Sequence, residues 1–216
     1  MKRRDFSLAA ASAAMAGSLA PGFAAAQGAR PVDGKDFLSL DKPAPVATPK
    51  GRVEVVEFFW YSCPHCNAFE PKLEEWIKRL PKDVTLRRVP VAFRDSFVPE
   101  QRLFYALEAM GRLGDLHRKV FYTVHVERQP LNTQELVIAW IEKQGVDRAK
   151  FLEQYNSFSV GTKARQAAQL QDAYGVAGVP ALGVAGRFYT DGERAGNMDR
   201  ALQVVDFLVT EARKSA

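Results

Sequence analysis

Between Val53 and Tyr61 the run VEVVEFFWY is apolar on both of its alternating faces, interrupted only by Glu54 and Glu57. A strand covered on both sides has this pattern, which predicts a central strand of a mixed or parallel sheet. At Pro64 the period changes. Phe69, Leu73, Trp76, Ile77 and Leu80 recur at helical spacing until Pro81. Pro64 itself suits the first turn of that helix, where a missing N–H costs nothing. Val84–Val91 then predicts a second strand, parallel to the first through the helix, which makes a βαβ unit.

After Phe93 strand candidates disappear. From about Ser96 to Tyr174 the spacing predicts helices over Glu100–Met110, Leu113–His125, Thr133–Lys143, Arg148–Ser157 and Val160–Tyr174. Thr133 reads as an N-cap, and Gly111, Gly114, Pro130 and Gly145 punctuate the joins. Strands return at Ala181–Ala185 and Arg187–Thr190, joined by a tight turn through Gly186. A last amphipathic helix, Met198–Arg213, follows a cap at Asn197, with its stripe on Ala201, Leu202, Val205, Leu208 and Val209. Residues 27–51 are polar and broken by Pro31, Pro43, Pro45 and Pro49, so they predict a loose entry with one short edge strand. The order βαβ, helical block, ββα predicts an α/β domain whose mixed sheet is interrupted by an inserted all-α domain. The boundaries expected are 27–95 for the first part, 96–167 for the insertion and 168–216 for the second part.

Composition leaves that picture intact and adds an address. The 216 residues are 47% hydrophobic and 25% charged, as in ordinary globular proteins. Residues 1–26 have the plan of an export signal: Lys2, Arg3 and Arg4, an apolar run from Leu8 to Leu19, then Ala24-Ala25-Ala26. The run is too short to span a bilayer as a mature helix. Arg3-Arg4-Asp5-Phe6 resembles a twin-arginine signal, but Leu8 falls one place late, so both the Sec and twin-arginine routes stay open. No cysteine follows the cleavage site, which argues against a lipid anchor. Without residues 1–26 the chain holds 27 basic and 24 acidic groups, a net of +3 rather than +5. That balance, with no basic-aromatic surface pattern, argues against nucleic acid. The expected location is the periplasm, an oxidising compartment.

The chain has two cysteines, in the tetrapeptide Cys63-Pro64-His65-Cys66 between the first strand and its helix. Free N–H groups and the helix dipole favour a thiolate there. A helix end supplies at most about 2 kcal/mol, or about 1.5 pKa units, so stronger acidity needs another donor or cation. His65 is the candidate. Stabilising the reduced thiolate makes the disulfide a better oxidant, and the spacing shields Cys66 behind Cys63. A zinc site would need two further ligands, and a c-type haem would need His directly after Cys66, where Asn67 stands. A structural disulfide this short would tie off almost no chain. Redox chemistry without metal or organic cofactor is the reading that remains. Val179-Pro180 opens the strand that returns after the helical block. It is read either as an ordinary trans turn or as a cis bond that turns the Val179 backbone toward an extended peptide near the sulfurs. Glu57 is expected to be buried with a raised pKa, exchanging protons with Cys66, the alternative being a solvent-facing strand residue. Glu70, one turn along the helix from Cys66, is expected as a surface acid, the alternative being an electrostatic role, and His117 and His125 as plain surface or core histidines.

The chain resembles the DsbA family of periplasmic thiol:disulfide oxidases. The residues that carry the likeness are Glu57-Phe58-Phe59, Cys63-Pro64-His65-Cys66, Phe69-Glu70, Asn156-Ser157-Phe158, Gly178-Val179-Pro180-Ala181 and Gly186-Arg187-Phe188-Tyr189. The resemblance implies a thioredoxin-like fold with a helical insertion, an exposed Cys63 nucleophile, a buried Cys66 and a cis Val179-Pro180 bond. It also implies a DsbB-type membrane quinone reductase as reoxidant, and a buried acid at Glu57 that relatives place near a lysine. The substrates expected are extended segments of reduced exported proteins, and the chain is expected to act as a monomer. The alternatives are a disulfide isomerase or reductase of the same fold, or a thiol-based metal-binding or chaperone module. Trp60-Tyr61-Ser62 departs from the better-known members of the family.

Overall fold

The computed structural model describes residues 30–214. The export signal expected over residues 1–26 lies outside them. β1 (Leu38–Ser39) is followed by β2 (Val53–Phe59), α1 (Pro64–Ile77) and β3 (Val84–Pro90). Five helices come next: α2 (Val98–Ala109), α3 (Leu113–His125), α4 (Gln134–Lys143), α5 (Arg148–Tyr155) and α6 (Phe158–Tyr174). The chain closes with β4 (Ala181–Val184), β5 (Phe188–Asp191), the short α7 (Gly192–Ala195) and α8 (Met198–Lys214). The sheet order is β1-β5-β4-β2-β3, with β2 parallel to β3 and the other pairs antiparallel. This is the mixed α/β sheet with a helical block that the periodicity predicts. Among the described residues no helix is long and apolar enough to cross a membrane.

All seven residues of β2 are buried, because both faces are covered. Val53 and Val55 pack toward Phe69, Leu73 and Trp76 of α1 and the inner stripe of α8. Val56 and Phe58 face the other way, into a core shared with Leu103, Phe104, Leu116, Val120 and Phe151 of the helical block. The sheet and the helices therefore form one wall behind the start of α1.

Caps account for where several helix boundaries move. Thr133 accepts from the Leu136 N–H, as expected. Ser157 was expected to end one helix, yet it caps the next: its hydroxyl accepts from the Val160 N–H, so α5 stops at Tyr155 and α6 starts at Phe158. The β4–β5 turn carries positive φ at both Ala185 and Gly186, 53° and 67°, which suits the right-handed twist of a two-residue hairpin.

Gly183 on β4 leaves no room for a side chain. A Cβ there would stand 2.4 Å from Tyr174 Cε1. That ring is held by its hydroxyl on the Gly186 N–H at 2.9 Å and by an edge contact with Phe58. Gly183→Ala is therefore expected to destabilise the fold by about 1–3 kcal/mol through overpacking, read from urea unfolding midpoints.

Candidate active site

β2 delivers the chain to α1 through a turn in which the Cys63 N–H bonds Trp60 O at 3.1 Å. Cys63 is the N-cap of α1, with extended backbone angles, and its Sγ accepts from the Cys66 N–H at 3.3 Å. Both cysteines are free thiols. Across the turn, Val179-Pro180 is cis, and Val179 O lies 3.4 Å from Cys63 Sγ. The cis expectation agrees with the geometry; the exposed nucleophile needs correction. Cys63 is only 6% exposed because the Val179 loop covers it, while Cys66 is fully buried. A groove of about 620 Å³ opens beside the pair, lined by His65, Gly178, Val179, Pro180, Tyr189 and Met198 among others.

The two thiols diverge in acidity. Cys63 is pushed down to about 6: the Cys66 thiol donates to it, the backbone N–H groups of Cys66 and His65 add to this, and the His65 charge comes last. Burial drives Cys66 the other way, well above the usual thiol range. His65 is exposed and contributes less than its place between the cysteines suggests. The extra donor beyond the helix end is chiefly the second cysteine itself.

Beneath α1 lies a buried polar cluster. Glu57 is 1% exposed, which excludes the solvent-facing alternative. Its Oε2 accepts from Arg88 Nε at 3.1 Å, so an arginine occupies the cationic role that relatives give to lysine. Burial, helped by the Glu70 charge, raises Glu57 to about 8 against the pull of Arg88. The same guanidinium donates through Nη2 to Glu70 at 2.7 Å and to Glu74 at 2.6 Å. Glu70 is buried, so the surface-acid reading was wrong. Burial pushes its pKa up, but His117 and Arg88 outweigh that and hold it low.

His117 is neither a surface residue nor inert filling. Its Nδ1 meets the Tyr61 hydroxyl at 2.8 Å, its Nε2 faces Glu70 Oε1 at 3.4 Å, and the rings of Phe59, Phe104 and Phe121 enclose it. Burial lowers its pKa. His125 Nε2 binds Tyr61 O at 2.7 Å. Arg88 carries a signal in hindsight: the parallel register pairs it directly with Glu57.

A dithiol capping a helix, facing a cis-proline loop on a mixed sheet, defines a thiol:disulfide oxidoreductase of the thioredoxin fold. The family model described as DSBA-like thioredoxin domain matches residues 54–203, and the chain belongs to that family. The thiol:disulfide interchange protein DsbA of Burkholderia cepacia is 42% identical over 195 residues, covering 90% of this chain and 92% of that protein. The protein of the same description from Bordetella parapertussis is 45% identical over 190 residues, covering 88% of each. The crystal structure of Pseudomonas aeruginosa DsbA superposes with a TM-score of 0.80 at 40% identity, covering 84% of this chain and 94% of that one. The protein is thus a thiol:disulfide oxidase.

Proposed function

We propose that the chain works in the periplasm, where its Cys63–Cys66 disulfide accepts two electrons from pairs of thiols in reduced exported proteins. A substrate thiolate attacks Cys63 Sγ, the Cys63–Cys66 bond breaks, and Cys66 leaves as a thiolate that takes up a proton. Glu57, whose charge Cys66 senses, is the proton-holding group in this role. The substrate's second thiolate then attacks its own sulfur in the mixed disulfide. Cys63 leaves as a thiolate, and the product carries a new disulfide. Pro64 sets the first turn of α1, and Val179 with Pro180 forms the wall against which an extended segment lies. A DsbB-type membrane quinone reductase takes the electrons onward, a role supported by membership of the family.

The observation that carries the direction of electron flow is the acidity of Cys63. At pH 7 a thiol lowered from 9.0 to about 6 stabilises the reduced form roughly tenfold over an ordinary one, or about 30 mV. The gain is present above pH 6 and fades as pH falls through the folded value. Equilibration with glutathione tests the reading. The expected potential lies well above the roughly −270 mV of thioredoxin. A value at or below that level would overturn it. A reduced, unfolded substrate should regain its disulfides with catalytic amounts of the protein and oxidised glutathione.

A further inference from the structure

Ser62 is the last residue before the nucleophile, and both of its hydrogen-bonding protons go to one carboxylate. Its N–H donates to Glu100 Oε2 at 3.0 Å and its hydroxyl to Glu100 Oε1 at 2.5 Å. Glu100 is 1% exposed and stands in the first turn of α2, 38 residues further along the chain. A buried charge is a costly way to hold a turn. The next residue, Gln101, ties α2 to Pro90 O at 2.9 Å with a neutral amide. Tying down Ser62 therefore does not require a carboxylate. What the carboxylate adds is a negative charge one residue from a sulfur that must carry negative charge when reduced.

We propose that Glu100 is a positioning residue that restrains the oxidising strength of the Cys63–Cys66 pair: anchored on Ser62, its charge opposes the Cys63 thiolate. The proposal rests on the oxidase reading above. Like charges in a poorly solvated setting disfavour one another, and the N-terminus of α2 helps keep Glu100 ionised. Burial raises the Glu100 pKa above the ordinary carboxylate value, and the Ser62 bonds offset that rise only in part. The titratable groups on the turn are Tyr61, whose phenol senses the Glu100 charge, and Cys63 itself; His117 and His125 of α3 reach the turn through Tyr61. By linkage, removing the charge favours the reduced protein and makes the disulfide a stronger oxidant.

Glu100→Gln can still accept from the Ser62 N–H and meet its hydroxyl while losing the charge. Its equilibrium with glutathione is expected to move about three- to tenfold toward the reduced protein, tenfold being about 30 mV. Cys63, followed by thiolate absorbance, should titrate lower than in the wild type. An unchanged equilibrium and titration in folded Glu100→Gln, or a shift the other way, would overturn the proposal, whatever happened to stability. A second measurement needs no variant. The Glu100 carboxyl, followed by carbon NMR in the wild type, should titrate higher in the reduced protein than in the oxidised one, because the thiolate opposes it. Identical titrations would equally overturn it. Failure of the oxidase reading would show instead as a low wild-type potential.

Discussion

Cys63→Ser is expected to abolish oxidation of a reduced substrate, whereas Cys66→Ser, once oxidised glutathione has placed a mixed disulfide on its Cys63 that a substrate thiolate displaces as glutathione, accumulates mixed disulfides with that substrate. Cys63 caps α1 and borders the groove, while Cys66 is sealed behind it, so a substrate sulfur reaches only the first. With Cys63 gone the remaining thiol is buried and strongly disfavoured as a thiolate. With Cys66 gone the mixed disulfide lacks its intramolecular competitor. Non-reducing gels and intact mass distinguish the two; full activity in Cys63→Ser would reverse the assignment. Acidity separates the variants further. The Cys66 thiol is the leading contributor to the low Cys63 pKa, so Cys66→Ala should raise it from about 6 toward the value a helix end alone supports. Cys66→Ser keeps a donor there and should raise it less.

Much of this architecture was legible because burial and periodicity coincide. The two-faced pattern of Val53–Phe59 has one comfortable setting, the inside of a sheet, and β2 lies there between β4 and β3. The cysteine pair needed only its place between strand and helix. Glu70 was misjudged although the signal was present: Cys66, Glu70 and Glu74 follow at intervals of four, on one face of α1, and a buried cysteine makes that face an inner one. Arg88 could not be assigned from its own strand, since VTLRRVP offers two adjacent arginines and only the register with β2 selects which meets Glu57. Glu100, His117 and His125 were beyond local reading. Each meets the turn before Cys63 from 38 to 64 residues away, through helices whose periodicity tells which face is buried but not which polar residue on it meets that turn. The helical block thus reaches the redox centre by polar side chains that no motif announces.

Arg88→Met is the substitution expected to damage the fold most outside the cysteines, with a penalty that depends on pH. One guanidinium serves Glu57, Glu70 and Glu74, and two of those carboxylates are buried. Removing one partner of a buried charge set costs about 3–5 kcal/mol, because the remaining charges keep their desolvation penalty without the compensating attraction. The buried carboxylates respond by binding protons, so the folded pKa of Glu57 rises further above the unfolded value of 4.5 and Glu70 loses a cation that holds it low. A carboxyl whose folded pKa exceeds its unfolded one loses stability as pH climbs from the unfolded value through the folded one. Glu57, at about 8, already does this in the wild type, and the lowered Glu70 opposes it, contributing stability above 4.5 that is lost on acidification. Arg88→Met removes the cation that holds Glu70 low, so that opposition weakens and the slope with pH steepens. The deficit should be smallest near about pH 5 and largest at mildly alkaline pH, read by urea unfolding at both. A deficit independent of pH would mean that Arg88 contributes packing rather than charge. Adding Glu57→Gln to Arg88→Met should recover part of the alkaline loss, since one of the stranded charges is then gone. The same double variant should leave the thiolate of Cys63 in place, because the groups that stabilise it lie at the head of α1 and not beneath it.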